Sequence, residues 1–246
     1  MLTKSHIKLI RSLEYKKYRT KHNLFVAEGK KVVIEFLNNQ WNPYLIVCTE
    51  KAAENFSNTK NLIVTNSETI AKISFLKNPS EVLGVFYQKE LKRPISFEKS
   101  FGIALDEIQD AGNVGTILRI ALWFGFDYVV LGNGCADKYS PKVVQASMGA
   151  LAQIPCWHEP IESLLTTYSN VPVYGMYLEG SNIYNVKKTN NGIFLLGNEG
   201  KGISPAYEPY VSHKLFIPPY NNKEKPIDSL NVATAAAIVC YEFRRK

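Results

Sequence analysis

The sequence predicts an α/β protein of two domains, the second of them built on a parallel sheet. Short apolar runs recur along the whole chain, helical stretches separate them, and one charged stretch without periodicity interrupts the alternation at residues 88–100. With 246 residues, the chain is longer than one domain of common size and too short for three.

The first domain begins with a basic helix and continues as alternating strands and helices. Ile7, Ile10 and Leu13 recur at near-helical spacing, and the apolar run 24–27 follows them. We expect further strands at 44–48, 61–64 and 82–87, with helices near 29–39 and 67–76. The stretch 88–100 is charged and contains Pro94, so it predicts a linker that ends at about residue 100 and a first domain of residues 1–95.

The second domain, residues 101–246, contains apolar runs at 101–105, 128–131, 171–176, 192–197 and 214–218. Each run is apolar throughout and does not alternate, which is typical of parallel strands covered on both faces. We expect the two faces of the sheet to be covered by helices at 113–125, 141–149, 160–168 and 230–244.

Composition excludes several classes of protein. The chain has 46% hydrophobic and 21% charged residues, which is typical of a globular protein and not of a disordered one. No apolar run reaches the roughly 18 residues of a membrane helix, and the first thirty residues are too charged for a signal peptide. The four cysteines form no C-x-x-C pair and no histidine stands near them at zinc-ligand spacing, so we expect reduced thiols, a cytoplasmic protein and no metal.

The positive charge is concentrated at the amino end. Residues 1–31 carry nine lysines or arginines against two glutamates, whereas residues 32–246 carry twenty basic and twenty acidic side chains. This asymmetry indicates a polyanionic partner for the N-terminal region, although a solvated helix face would give the same pattern.

Three loops that follow predicted strands carry the candidate functional residues, since ligands of parallel sheets bind beyond the carboxyl ends of the strands. The first has Asp110, Gly112 and Asn113 at the start of a helix, with Arg119 further along. Asn113 and Arg119 are six residues apart and would share a face only if Asn113 lay in the loop, where we place it. A helix cap and a surface ion-pair partner are the structural alternatives for these two residues.

The second and third loops add polar groups of a different kind. The second, LLGNEGKGIS at 195–204, lacks the spacing of a phosphate-binding P-loop and offers mainly backbone groups and Glu199; a tight turn is the alternative. In the third, Asp228 or Ser229 is expected to cap an alanine-rich helix whose first turn contains Asn231. Ser229 and Asn231 would then point towards the other two loops.

These three segments, in this order, resemble the three motifs of the SpoU (TrmH) family of RNA ribose 2′-O-methyltransferases, within the SPOUT superfamily. The resemblance covers about residues 101–246. A further similarity concerns the N-terminal substrate-binding domain that many family members carry, a ribosomal-protein-like α/β domain that binds RNA. It covers residues 6–37, HIKLIRSLEYKKYRTKHNLFVAEGKKVVIEFL.

The resemblance implies an S-adenosylmethionine-dependent enzyme that acts on RNA as a homodimer, with a trefoil knot in the C-terminal domain and sites near the dimer interface. It implies the catalytic residues Asn113, Arg119, Glu199, Ser229 and Asn231. It also implies a cofactor site at Tyr177, Leu178, Gly197, Asn198, Gly200, Ile217, Ser229 and Leu230. With RNA as the polyanion, the basic amino end is expected to bind its backbone through Lys16, Lys17, Arg19 and Lys21.

Two departures from the family pattern concern loop shape. Ala111 stands where family members commonly have proline, and the stretch 218–228 is longer than expected.

Arginine is a poor general base, so Arg119 could either activate the hydroxyl or act as an electrostatic clamp. The separate N-terminal domain favours rRNA as substrate; a tRNA ribose methyltransferase, a base methyltransferase and a non-catalytic RNA-binding or ribosome-assembly protein are the alternatives.

Overall fold

A computed structural model describes residues 1–220 and 229–245. In these residues the helices are α1 (Lys4–Ser12), α2 (Lys16–His22), α3 (Lys30–Asn38), α4 (Ser67–Ile73), α5 (Ala111–Trp123), α6 (Pro141–Ser147), α7 (Ile161–Thr167) and α8 (Val232–Arg244). The strands are β1 (Leu24–Glu28), β2 (Pro43–Thr49), β3 (Leu62–Thr65), β4 (Val82–Tyr87), β5 (Phe101–Leu105), β6 (Tyr128–Leu131), β7 (Cys156–His158), β8 (Val173–Asn182), β9 (Gly192–Leu196) and β10 (His213–Phe216).

The chain forms two compact units, and the first comprises residues 1–89 together with 137–153. Its sheet has the order β1-β4-β2-β3, in which β4 is antiparallel to both β1 and β2 while β2 and β3 are parallel. Ile10 and Leu13 pack on one face of this sheet, against Val26, Val47 and Leu83. The apolar spacing that predicts the first helix therefore corresponds to its buried face.

The predicted single basic helix is two helices, because the chain leaves the helical conformation between Leu13 and Tyr15. The Arg19 guanidinium donates to the carbonyl oxygens of Leu13 and Glu14, at 2.9 and 2.6 Å. These bonds satisfy carbonyl groups at the helix break, so the break is stabilised by a side chain six residues further along.

Residues 90–136 and 154–246 form the second unit, whose six strands are all parallel. The sheet order is β10-β8-β9-β5-β6-β7. This confirms the predicted α/β class with a parallel sheet, and both faces of β5, β6 and β9 are buried as expected. The short edge strand β7 was not predicted, since three residues carry too little pattern to identify a strand.

Residues 137–153 differ from the predicted domain division, because they pack within the first unit although the sequence assigns them to the second. The Tyr139 ring lies 4.9 Å from that of Phe25, and the Trp41 indole N–H donates to the Ala152 carbonyl oxygen at 3.0 Å. The first division along the chain falls after Lys89, somewhat earlier than the predicted boundary near residue 95. Residues on either side of α6 thus contact the aromatic side chains Phe25 and Trp41 of the first unit.

The four cysteines, Cys48, Cys135, Cys156 and Cys240, are free thiols. Among the described helices, none has the length and apolar character needed to cross a membrane.

Candidate active site

Two loops of the second unit leave the sheet side by side. Strands β5 and β9 are parallel neighbours, with Leu105 opposite Leu196. We define the first loop as residues 106–110 and the second loop as residues 197–204. The Asp106 N–H donates to the Leu196 carbonyl oxygen at 2.8 Å, so the two loops are joined where they leave the strands.

Helix α5 begins earlier than the sequence indicates. Asp110 is its N-cap and accepts the Asn113 N–H at 3.0 Å, which places Asn113 in the first helical turn and not in the preceding loop. The predicted loop position of Asn113 is therefore wrong, because Asp110 begins the helix three residues before it. Asn113 still reaches the second loop, since a side chain in the first turn projects from the end of the helix that faces the sheet edge.

Helix α8 begins later than predicted. Its N-cap is Asn231, whose Oδ1 accepts the N–H groups of Ala233 and Thr234 at 2.9 and 3.3 Å. Ser229 therefore lies two residues before the cap, and the other predicted cap, Asp228, falls outside the described residues. Helices α5 and α8 pack against each other, which brings their first turns together.

One residue from each predicted segment joins a single hydrogen-bonded chain. The Asn231 amide donates to Asn113 Oδ1 at 3.1 Å, and the Asn113 amide donates to Glu199 Oε1 at 2.7 Å. Because Asn231 uses its own oxygen in the helix cap, it can only donate to Asn113. Asn113 must then present its NH₂ group to Glu199, which matches a carboxylate that only accepts. The helix cap thus determines the direction of the whole chain of bonds.

The second loop is closed by its own backbone. Asn198 and Gly202 exchange two backbone hydrogen bonds of 3.0 and 2.8 Å, and Asn198 Oδ1 accepts the N–H groups of Gly200 and Lys201. A Cβ at Gly197 would come within 2.2 Å of the Gly202 carbonyl carbon, so only glycine permits this closure. Glu199 is exposed at the tip of this narrow loop.

Within the residues that the structure describes, the hydrogen bonds from Asn231 through Asn113 to Glu199 include neither Arg119 nor Ser229. Arg119 is exposed on α5 and, in the described part of the chain, makes no ion pair. It lies four residues before Trp123, so these two side chains share a face of the helix while Asn113 is on another. Trp123 is 82% exposed, which gives that face a large uncovered apolar group.

The remaining predicted cofactor residues lie along β8 and β10 and before α8. Pairing of β8 with β10 is interrupted after Gly175 and resumes at Ser181, and Tyr177 and Leu178 fall in the unpaired stretch. Tyr177 and Leu178, which follow the predicted strand 171–176, thus lie in an irregular part of a longer strand. Leu178 is exposed, whereas the Tyr177 ring is partly buried and has the Lys214 ammonium 5.1 Å from its centroid. Two further residues of the predicted set flank the stretch that is not described: the partly buried Ile217 and the exposed Leu230.

Two titratable groups that were not predicted as site residues, Asp106 and Cys135, lie beside these loops. The Asp106 carboxylate is buried and accepts the Ser204 N–H at 2.7 Å; burial raises the pKa of Asp106. Burial also raises the pKa of Cys135 to about 11, and its thiol donates to the Leu105 carbonyl oxygen at 3.2 Å. The position of Asp106 directly after an apolar run could have identified it.

The predicted polyanion contacts of the first unit are only partly exposed. Lys16, Lys17 and Lys21 are exposed on α2, and Tyr15 is exposed beside them. Arg19 is different, since it is 3% exposed and its guanidinium lies 2.5 Å from the Asp137 carboxylate. This corrects the prediction for Arg19, because a buried and paired guanidinium has no face left for a polyanion.

Among the described residues, no group of three or more histidine, cysteine, aspartate or glutamate side chains could hold a metal ion. The hydrogen bonds that join the three segments are made by two amide groups and one carboxylate.

Two family models match this chain. The SpoU rRNA Methylase family model matches residues 100–241, and the MRM3-like substrate binding domain model matches residues 4–84. The first match contains both strands that carry the candidate loops, and the second contains the basic helices α1 and α2.

Three of the related proteins match this chain over nearly its whole length. A 23S rRNA (guanosine(2553)-2′-O)-methyltransferase of Bacillus subtilis, RlmP, is 28% identical over 95% of this chain and 94% of its own. A solved structure from Porphyromonas gingivalis, described as an RNA methyltransferase of the TrmH family, is 37% identical over 100% of this chain and 99% of its own, with a TM-score of 0.87. An AdoMet-bound rRNA methyltransferase of Sinorhizobium meliloti is 30% identical over 100% of this chain and 96% of its own, with a TM-score of 0.85.

Proposed function

From the premise that this chain belongs to the SpoU rRNA methylase family, we propose that it transfers a methyl group from S-adenosylmethionine to a ribose 2′-hydroxyl of rRNA. The observation that carries this proposal is the chain of bonds from Asn231 through Asn113 to Glu199, which unites the three segments at one edge of the parallel sheet. A purely RNA-binding protein would have no need of this arrangement.

The second loop has the properties of a cofactor cradle. No atom lies within 4 Å of the Cβ position at Gly202, and at Gly200 the nearest is Asn198 Oδ1 at 3.6 Å, so the backbone there is open to a planar polar ligand. Gly197, Asn198 and Gly200 would hold S-adenosylmethionine through backbone groups, with Ile217 and Leu230 as apolar contacts. When bound, the cofactor supplies a methyl group on a positively charged sulfonium.

The residues of this chain would act mainly by holding the ribose hydroxyl in line with that methyl group. Positioning of two reactants supplies a large part of the rate of such transfers. Glu199 and Asn113 can fix the ribose through hydrogen bonds, since Glu199 is exposed and its orientation is set by Asn113. Ser229 lies two residues before Asn231 and would contact the cofactor or ribose beside it. Arg119 would bind the phosphate and stabilise the developing alkoxide.

We propose that the enzyme is a homodimer in which Arg119 serves the site of the other copy. Its support is the shared face of Arg119 and Trp123 on α5, which is separate from the face of Asn113. Tyr241 of α8 is 55% exposed and its ring lies 6.3 Å from that of Phe124, so a second exposed apolar group lies near the end of α5. Exposed patches of large apolar residues mark protein interfaces.

A complementation experiment tests this arrangement. Arg119→Ala and Asn113→Ala chains, each inactive alone, are mixed under conditions that exchange subunits. If Arg119 acts across the interface, one of the two sites in the mixed dimer has both residues and activity returns. If each copy uses its own Arg119, both sites lack one residue and the mixture stays inactive.

Sedimentation of the Trp123→Lys variant tests the interface itself and should show a monomer. A stable dimer of that variant would place the interface elsewhere.

We assign RNA binding to the first unit. Its support is the exposed basic surface of Lys16, Lys17 and Lys21 and the match of residues 4–84 to a substrate-binding domain. Phosphate contacts by lysine give salt-dependent affinity with little sequence preference. The substrate class and the free thiols favour a cytoplasmic location. The trefoil knot that the family resemblance implies stays a prediction for this chain.

The deciding experiment uses S-adenosylmethionine with a labelled methyl group and rRNA or tRNA from cells that lack the protein. The RNA is digested to nucleosides to find the labelled atom. Label on a ribose 2′-oxygen of rRNA is the expected result, with loss in Glu199→Gln and no loss in Glu162→Gln, an exposed glutamate on α7. Label on tRNA, or on a base, would replace the proposal by one of its alternatives. RNA binding without transfer would leave a binding function only.

A further inference from the structure

The first and second loops are held together by three bonds that involve two adjacent acidic residues, Asp106 and Glu107. The Asp106 carboxylate accepts the Ser204 N–H at 2.7 Å. The Glu107 carbonyl oxygen accepts the Asn198 amide at 2.9 Å, and its carboxylate accepts the Lys201 ammonium at 3.0 Å. These partners lie at both ends of the second loop, on either side of Glu199.

Glu107 adopts a conformation that non-glycine residues rarely use. Its φ of +54° lies in the left-handed region, where the side chain crowds its own backbone. Such a conformation persists only where the surrounding structure holds it, and it is concentrated at functional sites. Here it occurs two residues after the end of the buried strand β5, in the residue whose carbonyl oxygen accepts the Asn198 amide.

Asp106 differs from the ion-paired acidic residues on the surface, because its buried carboxylate bonds to a backbone amide. A buried carboxylate is costly unless its oxygens accept hydrogen bonds, so the Ser204 N–H is a required partner. Ser204 ends the second loop, and moving it would move the whole closed ring from Asn198 to Gly202. Glu199 is at the tip of that ring, 2.7 Å from the Asn113 amide.

We propose that Asp106 and Glu107 are positioning residues, which fix the second loop on the first so that Glu199 stays within reach of Asn113. The inference rests on the proposed methyl transfer for its effect on rate. Its structural part concerns only the two loops, and a measurement without substrate tests that part separately.

The test uses two substitutions at Asp106 and one matched control. Asp106→Ala removes the acceptor, whereas Asp106→Asn keeps an oxygen that can accept the Ser204 N–H. Asp127→Ala is the control, because its carboxylate also accepts a backbone N–H at 2.7 Å, that of Phe101, at the opposite end of β5. Hydrogen exchange of the substrate-free protein should accelerate at least tenfold at Ser204 and Lys201 in Asp106→Ala alone. Unchanged exchange at these amides would overturn the proposal.

Kinetics then show whether Asp106 acts through Glu199. Asp106→Ala should lower kcat about tenfold with little change in KM for RNA, and Asp106→Asn should restore most of it. In a Glu199→Gln background, Asp106→Ala should cause less than a twofold further loss, because the group it positions is already absent. A full tenfold loss in both backgrounds would mean that Asp106 does not work through Glu199. If the wild-type protein transfers no methyl group, the proposed function fails while hydrogen exchange still decides the loop contact.

Discussion

Replacing Arg19 by methionine should destabilise the first unit and leave its RNA contacts in place. The Arg19 side chain makes two bonds to the Asp137 carboxylate and two to carbonyl oxygens at the α1–α2 break. Methionine fills a similar volume but donates no hydrogen bond, so the substitution leaves the Asp137 carboxylate and both carbonyl groups without this donor. The charge pattern alone would predict the opposite, a loss of RNA affinity with unchanged stability.

The expected loss of stability follows from the burial of the pair. Breaking a buried ion pair by removing one partner costs about 3–5 kcal/mol. Asp137 is partly accessible, with 16% of its side chain exposed against 4% for Arg19, so we expect the lower end, about 3 kcal/mol. For a chain of this length, each kcal/mol lowers the melting temperature by about 2–4 °C, which gives a decrease of about 6–12 °C.

Urea unfolding measures the loss, and hydrogen exchange of the β1 amides assigns it to the first unit. The control is Lys51→Met, which removes an ion pair to Glu81 in the same unit where the lysine is 83% exposed. Exposed pairs contribute about 0–1 kcal/mol, so this variant should be nearly neutral. An Arg19→Met loss no greater than that of Lys51→Met, together with a tenfold weaker RNA affinity, would refute the assignment of Arg19 to the core.

Three further outcomes can be checked directly. Charge reversal at Lys16, Lys17 and Lys21 should weaken rRNA binding at least tenfold and flatten its salt dependence, with the affinity for S-adenosylmethionine unchanged in calorimetry; equal loss of both would indicate misfolding. Burial raises the pKa of Glu28 above its ordinary value of 4.5, so the folded state holds the proton more tightly. Stability relative to Glu28→Gln should therefore fall as pH rises from 4.5, and a rising difference in urea unfolding would contradict this. Gly197→Ala should abolish cofactor binding in calorimetry, since its Cβ has no space, and retained affinity would show that the loop can open without loss.

The sequence identified the parallel sheet and the meeting of three segments because both depend on local pattern. Strands buried on both faces are apolar throughout, and the carboxyl ends of parallel strands share one edge, which is how Asn113 and Glu199 come together. The exact starts of α5 and α8 escaped prediction because several residues near each start could serve as the cap. In the structure the N-cap of α5 is Asp110 and that of α8 is Asn231.

The buried role of Arg19 and the placement of α6 could not be predicted for a different reason. A basic residue in a basic segment has the same local pattern whether it faces solvent or a carboxylate 118 residues away. The apolar residues of α6 likewise do not indicate whether the helix packs in the first unit or in the second. Both features depend on contacts between distant residues, and a single sequence does not specify such contacts.

The placement of residues 137–153 also determines when the first unit can be completed during synthesis. Chains emerge from the ribosome amino end first, and compact units normally form as soon as their residues are available. When residue 89 has been made, the Trp41 indole still lacks the Ala152 carbonyl group and the Phe25 ring lacks Tyr139. By the time residue 153 is available, β5 and β6 of the second unit have already been made. The first unit is therefore finished only after the sheet that carries the first and second loops has begun to emerge.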